Sequence, residues 1–295
     1  MIVEKDQTIL TTLSSTFMAL SFFLSQDDAA PLARDLVDRL IKEKDELSLS
    51  LLANAVSAIG GRLRNEDSEP LVRNLLARFV SEKDANLATY ICNALVGWIV
   101  SLRQEDTATM ARLLNSRLLA EKDGGAISGC STLVSSLAPR LTPTEATMLA
   151  RTLMGRIASE KDQNTMSWFG NALSAVAARL NPEDAAPIAQ ALAARMVSEK
   201  DPTSVNYLGG YLSASMSRLS DADLFAIMKS NLVFSPILTP ALNEFGRRSA
   251  RTHNTAAGAV AGASAVYGVP SPAFKDTWEF VEWAEKKHPE FNFRR

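Results

Sequence analysis

A Glu-Lys-Asp tripeptide recurs through most of this chain at a fixed interval of 39 residues. It begins at residues 4, 43, 82, 121, 160 and 199, and no insertion or deletion separates one copy from the next. Self-similarity at a period of about 20 to 50 residues indicates a repeat architecture, in which each unit buries its apolar face only against its neighbours. The interval therefore predicts six consecutive repeats, and it leaves the binding partner undetermined.

Apolar residues within each unit form two helical stripes. They recur at spacings of three, four and seven in the first half of the unit, and at a spacing of four in the second half. One position between the two stripes is leucine in all six units: Leu24, Leu63, Leu102, Leu141, Leu180 and Leu219. Such spacings place apolar side chains on one face of a helix. The sequence therefore predicts an all-α fold, a right-handed α-solenoid of about six two-helix repeats over residues 4–236.

The Glu-Lys-Asp junction also predicts where the first helix of each unit begins. An aspartate such as Asp45 or Asp123 stands just before each first helix, where its carboxylate accepts hydrogen bonds from exposed backbone N–H groups. The second helices open on cap residues such as Thr142, but Arg64 and Arg103 occupy this position in two units. We expect the turns at these two arginines to be looser than the others.

Composition argues against several classes of function. The formal net charge of −2 gives the chain no global attraction to nucleic acids or anionic membranes. Two cysteines and two histidines lie far apart in no recognisable metal-binding spacing, so we predict neither a metal site nor a cofactor. We interpret Cys92 and Cys130 as packed thiols of a protein in a reducing compartment.

The sequence predicts a cytoplasmic protein that does not contact a membrane. Acidic residues, Glu4 and Asp6, precede the apolar run at residues 17–24, and this run is in register with the other first helices. A signal peptide would instead begin with basic residues. No stretch reaches the roughly 18 to 20 apolar residues that a membrane-spanning helix needs.

Both ends of the chain depart from the repeat pattern. The sequence enters a full first repeat without the polar capping helix that solenoid ends normally need, which makes end-to-end self-association through this repeat one expectation. Residues 237–295 are predicted to form a helix, an Ala/Gly-rich connector and an aromatic capping helix with Trp278 and Trp283. We expect this last helix to cover the sixth repeat, where Met216 and Ile227 would otherwise be exposed.

One arginine column lies near the end of the second helices, four residues before the glutamate of the next junction. Its members are Arg39, Arg78, Arg117, Arg156 and Arg195, and the glutamates are Glu43, Glu82, Glu121, Glu160 and Glu199. Arginine near a helix C-terminus favours the helix dipole and pairs with an acid four residues away. We interpret the column as a structural ladder. The alternative is a basic groove that binds phosphates or an acidic peptide.

Three other columns are candidates for partner binding or for packing. Arg34, Arg73, Arg112 and Arg151 form one column, and Arg62, Arg140, Arg179 and Arg218 form another. We interpret both as solvated faces, with an anion-binding track as the alternative; the first four stay candidates for partner binding. A variable column of the first helices contains Tyr90, Trp168 and Tyr207, which are either interface anchors or packing residues between first helices. We assign Trp98 to the core.

A pair of antiparallel helices that repeats every 39 residues resembles the HEAT and armadillo class of α-solenoids, over residues 4 to about 236. The Glu-Lys-Asp junctions, residues 182–186 and the ending at residues 276–284 are also similar to the repeats of large bacterial proteins of unknown function. The resemblance implies scaffolding and partner binding, and catalysis in few members.

We therefore predict a non-catalytic protein–protein interaction scaffold or regulatory module. A protein or peptide partner is expected on the concave face lined by the second helices. One alternative is a nucleic-acid-binding or base-excising HEAT-like protein that uses its arginine columns on phosphates, which the net charge of −2 disfavours. Another alternative is a structural spacer of a larger assembly.

Overall fold

The computed structural model describes residues 7–99, 102–230, 236, 237, 241 and 244. These residues contain α-helices and one short 3-10 helix at Ala138–Arg140, and no strand occurs among them. The α-helices are α1 (Gln7–Ser21), α2 (Gln26–Lys42), α3 (Glu46–Gly60), α4 (Asn65–Ser81), α5 (Ala85–Val96), α6 (Gln104–Ala120), α7 (Gly124–Leu137), α8 (Pro143–Ser159), α9 (Gln163–Ala177), α10 (Pro182–Ser198), α11 (Pro202–Met216) and α12 (Asp221–Ser230). The chain divides into two compact units, Met1–Arg179 and Leu180–Arg295.

The helices of the first unit form two layers. The odd-numbered first helices α1, α3, α5, α7 and α9 pack successively on one another, and the even-numbered second helices α2, α4, α6 and α8 form the other layer. In the second unit α10 packs on α11 and on α12. The predicted all-α solenoid of two-helix repeats is thereby confirmed for the part of the chain that the structure describes.

The second helices pack mainly on first helices across the Glu-Lys-Asp junctions. Each second helix contacts the first helix of the next sequence repeat more than the first helix of its own, as α2 does on α3 and α8 on α9. Residues 43–45 alone connect α2 to α3, whereas residues 22–25 connect α1 to α2. The helical hairpin of the structure therefore consists of the second helix of one sequence repeat and the first helix of the next. It is offset by half a period from the repeat that begins at Glu-Lys-Asp. The junction is the tight turn of that hairpin.

The repeated apolar columns form the core between the two layers. The constant leucines from Leu63 to Leu219 are buried, and so are the rings of Phe79 and Phe169. Trp98, which we assigned to packing, is fully buried against Gly60 of the preceding first helix. Its indole N–H donates to the backbone carbonyl of Val56 at 2.6 Å. The prediction for Trp98 is confirmed.

The close contact between Trp98 and Gly60 gives a stability prediction with a matched control. A methyl group at Gly60 would overlap the indole ring, whereas no atom lies within 4 Å of a methyl group built on the adjacent Gly61. Overpacking of a core costs about 1–3 kcal/mol. We expect Gly60→Ala to lower the free energy of unfolding by that amount in urea denaturation, and Gly61→Ala to be neutral or slightly stabilising. Equal stabilities for the two variants would contradict this packing.

The predicted C-terminal part, residues 237–295, lies almost entirely outside the described residues, as do Trp278 and Trp283. Its connector and capping helix therefore stay predictions. Met216 and Ile227 are buried, at 0% and 2% exposure, and their coverage by the C-terminal helix also stays a prediction.

Candidate functional site

The glutamate and aspartate of the junction hold the backbone of the tight turn. In every described junction one glutamate oxygen, for example Oε1 of Glu121, accepts from the backbone N–H groups of the two following residues at 2.7–3.1 Å. Each aspartate, as predicted, accepts from the N–H three residues on, at 2.7–3.0 Å. Hydrogen bonds from the backbone of Asp201 and Lys200 lower the pKa of Glu199, because they stabilise its charged form.

The arginine ladder forms the predicted ion pairs in three repeats. Arg78, Arg117 and Arg195 approach the glutamate four residues on at 2.5, 2.7 and 2.6 Å. Arg39 and Glu43 occupy the same positions at the end of α2, as do Arg156 and Glu160 at the end of α8. Each glutamate is also the C-terminal cap residue of its second helix.

The ladder also connects successive repeats, which sequence reasoning missed. Nη1 of Arg117 donates to the backbone carbonyls of Glu82 at 2.7 Å and Phe79 at 3.3 Å. Nη1 of Arg156 donates to the carbonyls of Leu118 at 2.5 Å and Leu119 at 3.5 Å. These carbonyls end the preceding second helix, where acceptors lack helical partners and the dipole is negative. An arginine on one second helix therefore donates hydrogen bonds to the carbonyls at the end of the preceding second helix.

Aromatic rings complete the environment of two ladder arginines. The guanidinium of Arg117 lies 5.3 Å from the centre of the Phe79 ring, and that of Arg156 lies 4.9 Å from the Phe169 ring. Cation–π contacts at this distance are attractive. The ladder arginines thus have ionic, hydrogen-bonding and aromatic contacts inside the protein.

We expect Arg117→Ala to destabilise the protein more than Arg112→Ala. Arg117 has an ion pair and two inter-repeat hydrogen bonds, whereas Arg112 is exposed and donates to the hydroxyl of Thr109 at 3.3 Å. Loss of hydrogen bonds from a charged group costs about 1–3 kcal/mol. Urea denaturation should show such a loss for Arg117→Ala and less than about 0.5 kcal/mol for Arg112→Ala. A neutral Arg117→Ala variant would show that the ladder is not structural.

Two members of the candidate column Arg34, Arg73, Arg112 and Arg151 bridge neighbouring second helices. Nη2 of Arg34 lies 3.1 Å from a carboxylate oxygen of Asp67, and Nη2 of Arg73 lies 3.7 Å from Asp106. All four arginines are exposed, as a solvated face predicts. The inter-repeat pairs were not predicted, and exposed pairs of this kind contribute little to stability.

The two arginines at cap positions are also tied across repeats. Neither Arg64 nor Arg103 caps its helix through the side chain, yet Arg64 lies 2.8 Å from Asp27 of the preceding repeat and 3.2 Å from Asp67. Arg103 likewise lies 2.7 Å from Glu69 of the preceding repeat. An ion pair thus ties each of these two turns to the preceding second helix. The expectation of looser turns stays a prediction.

The third arginine column is not simply a solvated face. Arg140, Arg179 and Arg218 each donate to the backbone carbonyl of the constant leucine one repeat earlier: Leu102, Leu141 and Leu180, the last two at 3.1 and 3.0 Å. The donors sit just after the first helices, and their acceptors end the preceding connection. Arg179 and Arg218 are nevertheless exposed, as a solvated face predicts; the hydrogen bonds that tie neighbouring repeats together were not predicted.

The variable ring column lies partly inside the first-helix layer. Tyr90 and Trp168 are half-buried, and a Cβ at Gly124 of the preceding first helix would lie 3.3 Å from ring carbon Cζ3 of Trp168. Burial and the nearby carboxylate of Glu46 raise the pKa of Tyr90. Tyr207 in the second unit is 40% exposed. The surroundings of Trp168 favour packing, and partner binding by these rings stays a prediction.

A cavity of about 440 Å³ opens between the C-terminal ends of α4 and α6. Its lining combines apolar with charged residues: Phe79, Val80, Glu82, Lys83, Leu113, Ser116, Arg117, Ala120 and Glu121. We use the name second-helix groove for this cavity together with Leu119, an exposed residue next to the lining residue Ala120 on α6. Mixed linings of this kind are typical of ligand sites, where apolar surface supplies affinity and polar groups orient the ligand.

Exposed apolar residues recur at one position of the second helices, and we call them the exposed apolar column. Val80, Leu119 and Val197 are 52%, 60% and 55% exposed and lie at equivalent positions of their repeats. Sequence reasoning overlooked them because it followed the buried stripes. The signal was present, since the same column reads Ile41, Val80, Leu119, Ala158 and Val197.

The first repeat exposes apolar residues whose equivalents in later repeats are buried. Leu20 is 58% exposed, whereas its equivalent Ile59 is fully buried. In α2, by contrast, Asp35 and Asp38 take the positions of Leu113 and Ser116, which line the groove toward α4. Leu32 of α2 is nevertheless 39% exposed, whereas its equivalent Met110 is fully buried. The expectation of an end without polar capping stays a prediction. End-to-end self-association stays a prediction.

Within the described residues no group of three or more histidine, cysteine, aspartate or glutamate side chains could hold a metal ion. None of the helices that the structure describes is both long and apolar enough to span a membrane. Cys92 and Cys130 are buried and form no disulfide. Burial, with a hydrogen bond between the two thiols, raises the pKa of Cys92.

Comparison with solved structures identifies similar folds. Kap121p bound to Nup53p is 12% identical with a TM-score of 0.53, and the match covers 95% of this chain and 27% of that one. Kap121p bound to Pho4p is 13% identical with the same TM-score and coverage. The chain thus spans about a quarter of the length of these structures. No family model and no curated protein matches the sequence. The likeness establishes the fold of HEAT-repeat solenoid proteins; the resemblance to bacterial repeat proteins stays a prediction.

Proposed function

We propose that this chain is a non-catalytic interaction scaffold that binds a segment of a protein partner in the second-helix groove. The observation that carries this proposal is the exposed apolar column at Val80 and Leu119 beside the cavity between α4 and α6. Kap121p, which has a similar fold, has been solved bound to Nup53p and to Pho4p. That similarity supports a binding role without naming a partner.

The groove combines apolar surface, which would contribute binding affinity, with charged groups, which would orient the partner. Val80 and Leu119 present aliphatic surface to water, and its burial by a partner would be favourable in proportion to the area covered. The cavity behind them has an apolar floor that includes Phe79 and a charged rim that includes Lys83 and Glu121. An apolar side chain of the partner would occupy the floor, while its backbone or charged groups would contact the rim.

The nucleic-acid and base-excising alternative has weaker support. It requires arginine columns that face phosphates, but Arg117 and Arg195 are mostly buried and form ion pairs at the helix ends. Catalysis has no specific observation in its favour, so the proposed role is non-catalytic. We also propose the cytoplasm as its location, because Cys92 and Cys130 are both reduced and buried. A structural spacer remains the competing role, and it would not need the groove.

A site-specific crosslinking experiment tests the groove directly. A photo-reactive benzoyl-phenylalanine would be placed in separate variants at Val80, Leu119 or Thr132, which is exposed on the first helix α7, and irradiated in native lysate. We expect discrete crosslinked products from positions 80 and 119, identified by mass spectrometry, and none from position 132. Val80→Asp with Leu119→Asp should remove the captured protein without lowering the melting temperature, because both positions are exposed.

Two outcomes would contradict the proposed site. Specific products from position 132 alone would move the interface to the first-helix layer. Capture that survives the double aspartate variant would show that the groove is not the binding surface. An absence of specific products at all three positions would favour the structural spacer.

A further inference from the structure

The lysine side chain of the Glu-Lys-Asp junction has no structural role within the described residues. At the junction of residues 121–123, for example, the glutamate, the aspartate and the ladder arginine Arg117 all have partners, and the constant leucine Leu141 is buried. The junction lysines are as constant as these residues: Lys44, Lys83, Lys122, Lys161 and Lys200. Each of the five is exposed, and none of their ammonium groups forms a hydrogen bond or ion pair within the described part of the chain. A residue repeated without a role in the fold points to a role at the surface.

The lysines border the second-helix groove. Lys83 lines the cavity together with Val80, which precedes it by three residues. By repeat equivalence, Lys122 stands in the same relation to Leu119. We call Lys44, Lys83, Lys122 and Lys161 of the first unit the lysine row.

The carboxylates nearest the lysine row have other partners. Glu82 and Glu121 accept backbone N–H groups and pair with Arg78 and Arg117. Asp123 caps the helix that follows its junction. The rim of the groove is therefore a series of ammonium groups whose neighbouring carboxylates are already engaged.

We infer that the lysine row and the exposed apolar column bind an extended acidic segment of a partner protein, across successive second helices. This inference rests on the proposed function and adds the chemistry of the partner. Packed helix axes lie about 8–10 Å apart, and an extended chain advances about 3.3 Å per residue. One repeat therefore corresponds to about three residues of the bound segment, with an acid at every third position and an apolar residue between acids.

The apolar column favours a peptide over a nucleic acid. Val80 and Leu119 offer aliphatic surface directly beside the ammonium groups, and aliphatic side chains find partners on a peptide rather than on a phosphate backbone. Lysine is a compact point charge, and an acid at every third position of an extended segment matches the spacing of the row.

The test uses the full chain and a fluorescein-labelled peptide made of four Glu-Leu-Thr triplets. A second peptide of the same composition carries its glutamates together at one end. We expect fluorescence polarisation to show tighter binding of the evenly spaced peptide, weakened by added salt. The variant Lys83→Gln/Lys122→Gln/Lys161→Gln should bind it at least about fivefold more weakly, since each exposed pair contributes modestly.

A matched variant controls for net charge. Lys275→Gln/Lys286→Gln/Lys287→Gln removes three positive charges outside the described residues and should bind the peptide as the unchanged protein does. Melting temperature should be the same for all three proteins, because the row has no partner in the fold. Equal peptide affinity in the row variant, or a lower melting temperature for that variant alone, would overturn the inference.

The two proposals fail in different ways. If benzoyl-phenylalanine at position 80 still captures its partner in the row variant, the lysines do not select the partner, while the scaffold function stands. If capture depends on neither the groove nor the row, the scaffold proposal fails. Preferential, lysine-dependent binding of a DNA duplex over the spaced peptide would replace the peptide by a nucleic acid and overturn the inference.

Discussion

The contact between a ladder guanidinium and the last carbonyls of the preceding second helix is the interaction on which the stack depends. Arg117 joins three elements at once, because it pairs with Glu121, donates to the carbonyls of Phe79 and Glu82 and lies over the Phe79 ring. Glu121 in turn accepts the N–H groups of the turn that leads into α7. A helix end, a tight turn and a neighbouring repeat are thereby fixed together. A solenoid has few contacts beyond nearest neighbours, so its repeat spacing depends on such local clamps.

The sequence predicted whatever depends on local spacing, and it missed contacts made between repeats. The 39-residue period, the two helices, the aspartate caps and the pairing of Arg78 with Glu82 all follow from residues that are close in sequence. The bonds from Arg179 to Leu141 and from Arg64 to Asp27 join residues almost one repeat apart. Their existence depends on the packing of neighbouring helices, and periodicity alone does not reveal it. The exposed apolar column is visible in the sequence, but its residues look like the edge of the buried apolar stripe.

The three residues of the Glu-Lys-Asp tripeptide have different roles, and this difference connects the fold to the proposed function. The two acids form the turn, whereas the lysine between them extends into solvent beside an apolar column. The same geometry that fixes the spacing of the helices also fixes the spacing of the lysines. A partner segment that matches the spacing of the lysines would need only an extended conformation and acidic residues at regular intervals. Among the variable rings of the first helices, the surroundings of Trp168 favour packing.

The central claim is that the glutamate and aspartate of a junction hold the fold and the lysine does not. The most direct measurement compares Glu121→Ala, Lys122→Ala and Asp123→Ala by urea denaturation of the full chain. Loss of the glutamate contacts should cost about 1–3 kcal/mol, and loss of the aspartate cap about 1 kcal/mol. Lys122→Ala should stay within about 0.5 kcal/mol of the unchanged protein. A Lys122→Ala variant as unstable as its two neighbours would contradict the account.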